Sequence, residues 1–324
     1  MNRILSSLAA AGLLVCASPV FAFGTVHLLG QNAEHERITR HALGCGQAGA
    51  PAAGACFLPG ALDEVAGRGG TFGAVGAPDH PANGKINDAK SHCDDGDYVA
   101  VSGYPQSEAT AQAALEACRN YMISSMSAAV AAAAPLVRNG SLVDAEIPTV
   151  FNCNFNFTPG RAYCNVLEEF GVVLHAAQDF YSHSNWVDQP DASQPISLTN
   201  PAGLNHTGRA PWLDLRRSSA FPSGLMTGCY LGGLPDGTSG CPGRVTHYVL
   251  NKDKGDIDPQ IGAGTTDRGK INGNFARAVE AAIDDTRDKW AQLRAALVTR
   301  YGAHDGGLMI CALVSEASYA RQCH

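Results

Sequence analysis

Apolar and polar positions repeat with a helical period in four stretches of the chain. Residues 34–43 read as a short helix with a polar face. Residues 107–137 are Ala-rich, hold few breakers and end before Asn139-Gly140. Leu167, Phe170, Leu174, Ala177 and Tyr181 recur at helical spacing and predict a helix over 164–183 with a core-facing stripe. A fourth helix is expected from Asn274 to Tyr301, with Gly302 as its stop. Between these, 44–106 and 187–270 are rich in Gly, Pro, Asn and Asp and read as long loops with a few short strands. No segment alternates over several strands, and no repeat or linker divides the chain. The expected fold is mostly α, a single helical domain carrying long loops, and loops of that length are usually functional.

Composition sharpens this picture. At 324 residues, with 45% hydrophobic and 16% charged residues, the chain is globular and long enough to bury a large core. Such a core needs no oligomerisation, so the oligomeric state stays open. Lys and Arg number 23 against 30 Asp and Glu, a formal charge of -7, which argues against nucleic acid as a partner. Residues 1–22 read as a signal peptide: Arg3, an apolar run from Ile4 to Val15, and small residues Val20 and Ala22 before a cleavage that leaves Phe23 first in a mature domain over 23–324. A lipid-anchored reading through Cys16 is disfavoured by the bulk of Val15. No other run reaches the ~18 apolar residues of a membrane span. A secreted or periplasmic protein is therefore expected.

Eleven cysteines minus Cys16 leave an even ten, which predicts a disulfide framework more readily than zinc thiolates. They fall as near neighbours, so local pairing is expected: Cys45 with Cys56, Cys93 with Cys118, Cys153 with Cys164, Cys229 with Cys241 and Cys311 with Cys323. Sequence alone leaves the connectivity open.

The segment from Leu174 to Trp186 carries the candidate chemistry. His175, Asp179 and His183 are spaced four apart, which places two imidazoles and a carboxylate in a row on one helix face beside the apolar stripe. Partly buried polar groups must find partners, and a cation such as zinc satisfies several at once. The plainer alternative is a set of hydrogen-bonded core residues.

The same segment, His-Ala-x-Gln-Asp-Phe-Tyr-Ser-His-Ser-Asn-Trp, resembles the signature of the HET-C family and of secreted bacterial zinc-dependent phospholipases C. Both are more distantly similar to the trinuclear-zinc phospholipase C and single-strand nuclease superfamily. Further islands follow that superfamily's order: Gln31 to Thr39, Gly76 to Asp79, His92-Cys93-Asp94, and Thr246 to Asp253. The resemblance implies a zinc-phospholipase-C-like fold and up to three zinc ions. Asp79, His92, His175 and Asp179 would hold the first. Asp179 would be shared with a second, held by His35 and by the amino group and carbonyl of Phe23. The third would take His183, His247 and Asp253, the last because Asn251 stands where the superfamily has its late carboxylate. Asp79 has a second implied role, as general base.

The activity implied is a phospholipase C hydrolysing phosphatidylcholine-type lipids, with phospholipid at a membrane surface as partner and substrate. Tyr181 and Trp186 are candidates for an aromatic wall around a choline ammonium, with core packing as their alternative. Rival readings are a nuclease or nucleotidase on the same core, and a non-catalytic interaction protein with structural metals. Asp94-Asp95-Gly96-Asp97 lacks an EF-hand pattern and reads as a solvated loop.

Overall fold

The computed structural model describes residues 23–27, 30–45, 54–147, 152–231, 238–258, 260–315 and 323. The export signal expected over 1–22 lies outside them. The described chain is a single helical domain. Its helices are α1 (Glu34–Leu43), α2 (Pro59–Ala66), α3 (Ala89–His92), α4 (Glu108–Ala132), α5 (Ala162–His183), α6 (His247–Leu250), α7 (Asp267–Lys270) and α8 (Asn274–Val314). The strands among the described residues are a minimal antiparallel hairpin, β1 (Val137–Arg138) with β2 (Ser141–Leu142). Asn139 and Gly140 form its turn, both at positive φ, as such hairpin turns require.

Each long helix has a local cause. Glu34 and Glu36 in the first turn of α1 and Arg40 and His41 in its last complement the helix dipole. The Ser107 side chain accepts the Thr110 N–H and caps α4. Helix α8 departs from expectation: Gly302, at φ 83°, breaks the helix without ending it, and the chain turns back into helix as far as Val314. Leu308, Met309, Ile310 and Leu313 supply the buried face that carries the second part.

Helix α5 runs through the middle, packed by α4 on one side and α8 on another, with α1 and α3 closing its C-terminal half. Its buried surface is therefore not a stripe. Nearly every side chain is covered, including the row expected at its edge, and His175, Asp179 and His183 are fully buried. A helix buried on all sides is usually apolar all round. Here polar residues fill one side of the C-terminal half, and each must be satisfied from within.

All five cysteine pairs form disulfides: Cys45–Cys56, Cys93–Cys118, Cys153–Cys164, Cys229–Cys241 and Cys311–Cys323. Each closes a short loop and stabilises by about 3 kcal/mol in the chain-entropy account. Five bridges are the pattern of a chain that folds in an oxidising compartment. Cys93–Cys118 ties the end of α3 to α4, which fixes the residues on either side, His92 and Asp94. No helix of the described residues is long and apolar enough to cross a membrane.

Candidate metal centre

Four separated segments deliver side chains to the C-terminal half of α5. Helix α1 brings His35, a 3-10 turn over Ala77–Asp79 brings Asp79, α3 brings His92, and α5 itself brings His175 and Asp179. The 3-10 turn approaches closely because α5 has Gly171: a Cβ there would meet the Ala74 carbonyl oxygen at 2.2 Å. That approach sets the Val75 carbonyl 2.9 Å from His175 Nδ1. Gly171→Ala should force the segment off the helix, costing about 1–3 kcal/mol by overpacking. It should also weaken metal binding, because the His175 contact goes with it. Isothermal zinc titration beside a thermal melt checks this, and unchanged affinity would contradict it.

Hydrogen bonds fix the state of each imidazole. Gln178 donates both amide hydrogens, to Thr39 Oγ1 at 3.0 Å and Thr286 Oγ1 at 3.1 Å. Its Oε1 must therefore accept from His35 Nδ1, 2.7 Å away. His35 Nε2 is then bare in the neutral ring and faces Asp179 Oδ1 at 3.1 Å, and neither atom has a hydrogen-bond partner. His175 Nδ1 donates to the Val75 carbonyl, which can only accept, so its bare Nε2 faces Asp179 Oδ2 at 3.1 Å. His92 Nε2 donates to the Lys85 carbonyl at 3.2 Å, leaving Nδ1 to face Asp179 Oδ2 at 2.9 Å and His175 Nε2 at 3.1 Å. Asp79 Oδ1, also without a partner, points at the same place, 3.6 Å from His175 Nε2, while Thr25 donates to its Oδ2.

Lone pairs that converge repel unless a proton or a cation lies between them, so this arrangement could hold a metal ion. Two donor sets share His175, namely His35 with Asp179 and Asp79 with His92. Imidazole and carboxylate donors fit zinc.

In the metal-free protein, protons fill the gap. Burial opposes charge on His92, yet the Asp179 and Asp79 carboxylates outweigh it and push the imidazole up to about 9. Burial also opposes ionisation of Asp179, but His175 and His35 hold it well below the usual carboxylate range. The sign for stability follows. A raised His92 contributes stability that is complete below its ordinary value of 6.5 and is lost as pH rises through about 9. Metal-free protein should therefore lose stability across that window while zinc affinity rises, because fewer protons must leave on binding. Melts of metal-free wild type and His92→Gln, with zinc titrations at both ends of the window, check this. An equally steep loss in His92→Gln would contradict it.

Phe23 is fully buried beside His35, their rings 6.0 Å apart edge to face. The Gly24 carbonyl accepts the His35 N–H, and the Gly24 N–H donates to the Asp253 carbonyl at 3.3 Å. The segment after Phe23 thus links α1 to the residues that follow α6.

A second cluster lies one turn further along α5. His183 Nε2 donates to Asp253 Oδ1 at 3.1 Å, Nδ1 faces Asp94 Oδ1 at 3.1 Å, and the His247 ring is 4.0 Å away. Burial opposes charge on His183, but Asp94 and Asp253 raise it well above the ordinary imidazole value. Asp94 was not expected here. The turn read as solvated is buried at Asp94 and Asp97, because Arg244 grips the Asp97 carboxylate through two nitrogens and Asp95 accepts the Tyr230 N–H. The neighbouring trio of Asp95, Asp97 and Cys229 is no thiolate site, since Cys229 is bridged to Cys241. The position of Asp94 two residues beyond His92, astride a bridged cysteine, was the available signal.

Tyr181 and Trp186 are placed as their packing alternative had it. Tyr181 is fully buried and its hydroxyl accepts the Ala210 N–H. Trp186 is 6% exposed, lies on His206 and donates its indole N–H to the Gly208 carbonyl. Neither ring offers an open face to a choline ammonium.

A family model described as the VWA7 N-terminal domain matches residues 155–205, the span that holds α5 and the loop after it. No curated protein and no solved structure matches the chain.

Proposed function

We propose that the chain is a zinc-dependent phosphodiester hydrolase, a phospholipase C that cleaves phosphatidylcholine-type lipids to diacylglycerol and phosphocholine. The observation that carries the metal is the set of bare imidazole nitrogens turned on the Asp179 and Asp79 carboxylates. The choice of a phospholipid rests on the resemblance of residues 175–186 to the zinc phospholipase C signature. His35, Asp79, His92, His175 and Asp179 would hold two ions, and the cluster around His183 a third. Bound zinc would supply Lewis acidity toward a phosphoryl oxygen and lower the pKa of a water toward neutrality.

The chain's own residues supply the rest. Gln178, Val75 and Lys85 hold the three imidazoles in the tautomers that turn a lone pair inward. Asp79, steadied by Thr25 on one oxygen, keeps the other available as ligand or proton acceptor. Leu231 and Tyr248, each more than half exposed, lie close in sequence to Tyr230 and His247 and give this side apolar surface suited to lipid. The export signal read over 1–22 and the five bridges suit a secreted or periplasmic enzyme.

A second reading has one observation in its favour. The candidate ligands are all buried, which also suits metals whose role is structural. Protein beginning at Phe23, incubated with phosphatidylcholine vesicles with and without a zinc chelator, separates the two. Chelator-sensitive release of diacylglycerol and phosphocholine supports the enzyme. Intact lipid in a zinc-loaded sample, with chelation lowering only the melting temperature, supports structural metals.

A further inference from the structure

We infer that the carboxylate ligand of the third ion is Asp94, with His183 and His247, and that Asp253 is a positioning residue. This rests on the zinc-binding reading above, and departs from the ligand set the resemblance implies.

His183 lies between two carboxylates at the same distance, 3.1 Å from each, but the contacts differ. Nε2 makes a true hydrogen bond to Asp253 Oδ1, an oxygen that also accepts the Ser182 hydroxyl, so the Asp253 oxygen nearest the imidazole is engaged, although its Oδ2 has no partner. Asp94 Oδ1 has no hydrogen-bond partner although Asp94 is only 3% exposed: it lies beside Nδ1 without lying on the N–H direction. The Asp94 oxygen is thus left open beside an imidazole nitrogen, as Asp179 Oδ1 is beside His35 Nε2. Ligand atoms from Asp94, His183 and His247 lie within 4.8 Å of one another. Without an ion, His183 Nδ1 donates to the His92 carbonyl at 3.3 Å, and the ion would take the place of that proton. A carboxylate bonded to one ring nitrogen while the other meets the ion is a common way to orient a metal-binding imidazole, and Asp253 occupies that place.

The backbone is built to bring these residues together. The Asp95 N–H donates to the Gly228 carbonyl at 2.9 Å, and the His247 N–H donates to the Cys229 carbonyl at 3.0 Å. Gly228 permits the second approach, since a Cβ there would come within 2.3 Å of His247 Cα. The Cys93–Cys118 and Cys229–Cys241 bridges anchor both loops.

The test counts zinc per chain by mass spectrometry after dialysis against a fixed free-zinc buffer. Wild type should hold three ions and the isosteric Asp94→Asn two. Asp253→Asn should still reach three at saturating zinc, the last bound about 10- to 100-fold more weakly. Three ions in Asp94→Asn, or an Asp253→Asn chain that cannot take up its third ion, overturns the assignment. Should Asp94→Asn fail to fold, the anomalous peak of the third ion in wild-type crystals decides. A peak beside Asp94 and His183 Nδ1 upholds the inference, and one beside Asp253 and Nε2 overturns it. Lipid cleavage by wild type is scored separately. Three ions without cleavage reject the phospholipase and leave Asp94 standing, whereas cleavage with three ions still in Asp94→Asn does the reverse.

Discussion

Asp179→Asn should remove both central ions and abolish hydrolysis while the helical fold persists. Asp179 offers one oxygen toward His35 and the other toward His92 and His175, so its carboxylate presents a separate donor atom to each side of the cluster. Loss of one electrostatic stabiliser in an active site typically costs about 10²–10³ in rate, and losing a ligand common to two ions should cost more. The helical fold should persist because the amide keeps the shape of the carboxylate, although stability falls, since His175 and His35 favour the charge that is removed. Far-UV circular dichroism, zinc content and vesicle hydrolysis together read this out. A variant with full activity and two central ions would remove Asp179 from the site. His206→Ala is the control: His206 lies on Trp186, away from the cluster, and its loss should leave zinc content unchanged.

Asp188→Ala should be the most damaging single change to stability outside the metal cluster. Lys252 and Arg268, both buried, meet on this one carboxylate, at 3.0 Å and 2.8 Å. Lys252 Nζ also donates to the Ser184 and Leu250 carbonyls, so the ammonium is locked between the end of α5 and the end of α6. Burial lowers the Lys252 pKa, and Asp188 is the main charge opposing that fall. Removing one partner of a buried ion group leaves the others uncompensated, a loss of about 3–5 kcal/mol or on the order of 10 °C in melting temperature. Lys252 adjoins Asp253, so the third ion should weaken as well. A melting temperature within a degree or two of wild type would show that water reaches and solvates the two cations.

The elements that sequence reading located are those whose signal is local. Helix α1 starts and stops where its charges and Gly44 indicate, and α5 reads clearly because apolar residues recur along it. Helix α2 was hidden in a Gly- and Pro-rich region, although Pro59 at its first turn is a normal helix start. The second part of α8 was missed because Gly302 is a stop by local rules, and tertiary packing against the β1–β2 hairpin restarts the helix.

In the site, spacing reveals what one helix carries, here His175, Asp179 and His183. What fixes their chemistry comes from elsewhere in the chain. The Val75 and Lys85 carbonyls, the Thr39 and Thr286 hydroxyls behind Gln178, and the unpartnered Asp94 oxygen are brought in by chain crossings that no pattern of residue types announces. Tyr181 and Trp186 fail as an open wall for the same reason. Their exposure is decided by the 206–210 segment that covers them.

The most direct measurement of the central claim is an anomalous difference map at the zinc edge from crystals of the zinc-loaded protein. Two strong peaks are expected on either side of the Asp179 carboxylate, one beside His35 Nε2 and one among Asp79, His92 Nδ1 and His175 Nε2. No peak within bonding reach of Asp179, in a crystal whose protein binds zinc in solution, would contradict that claim.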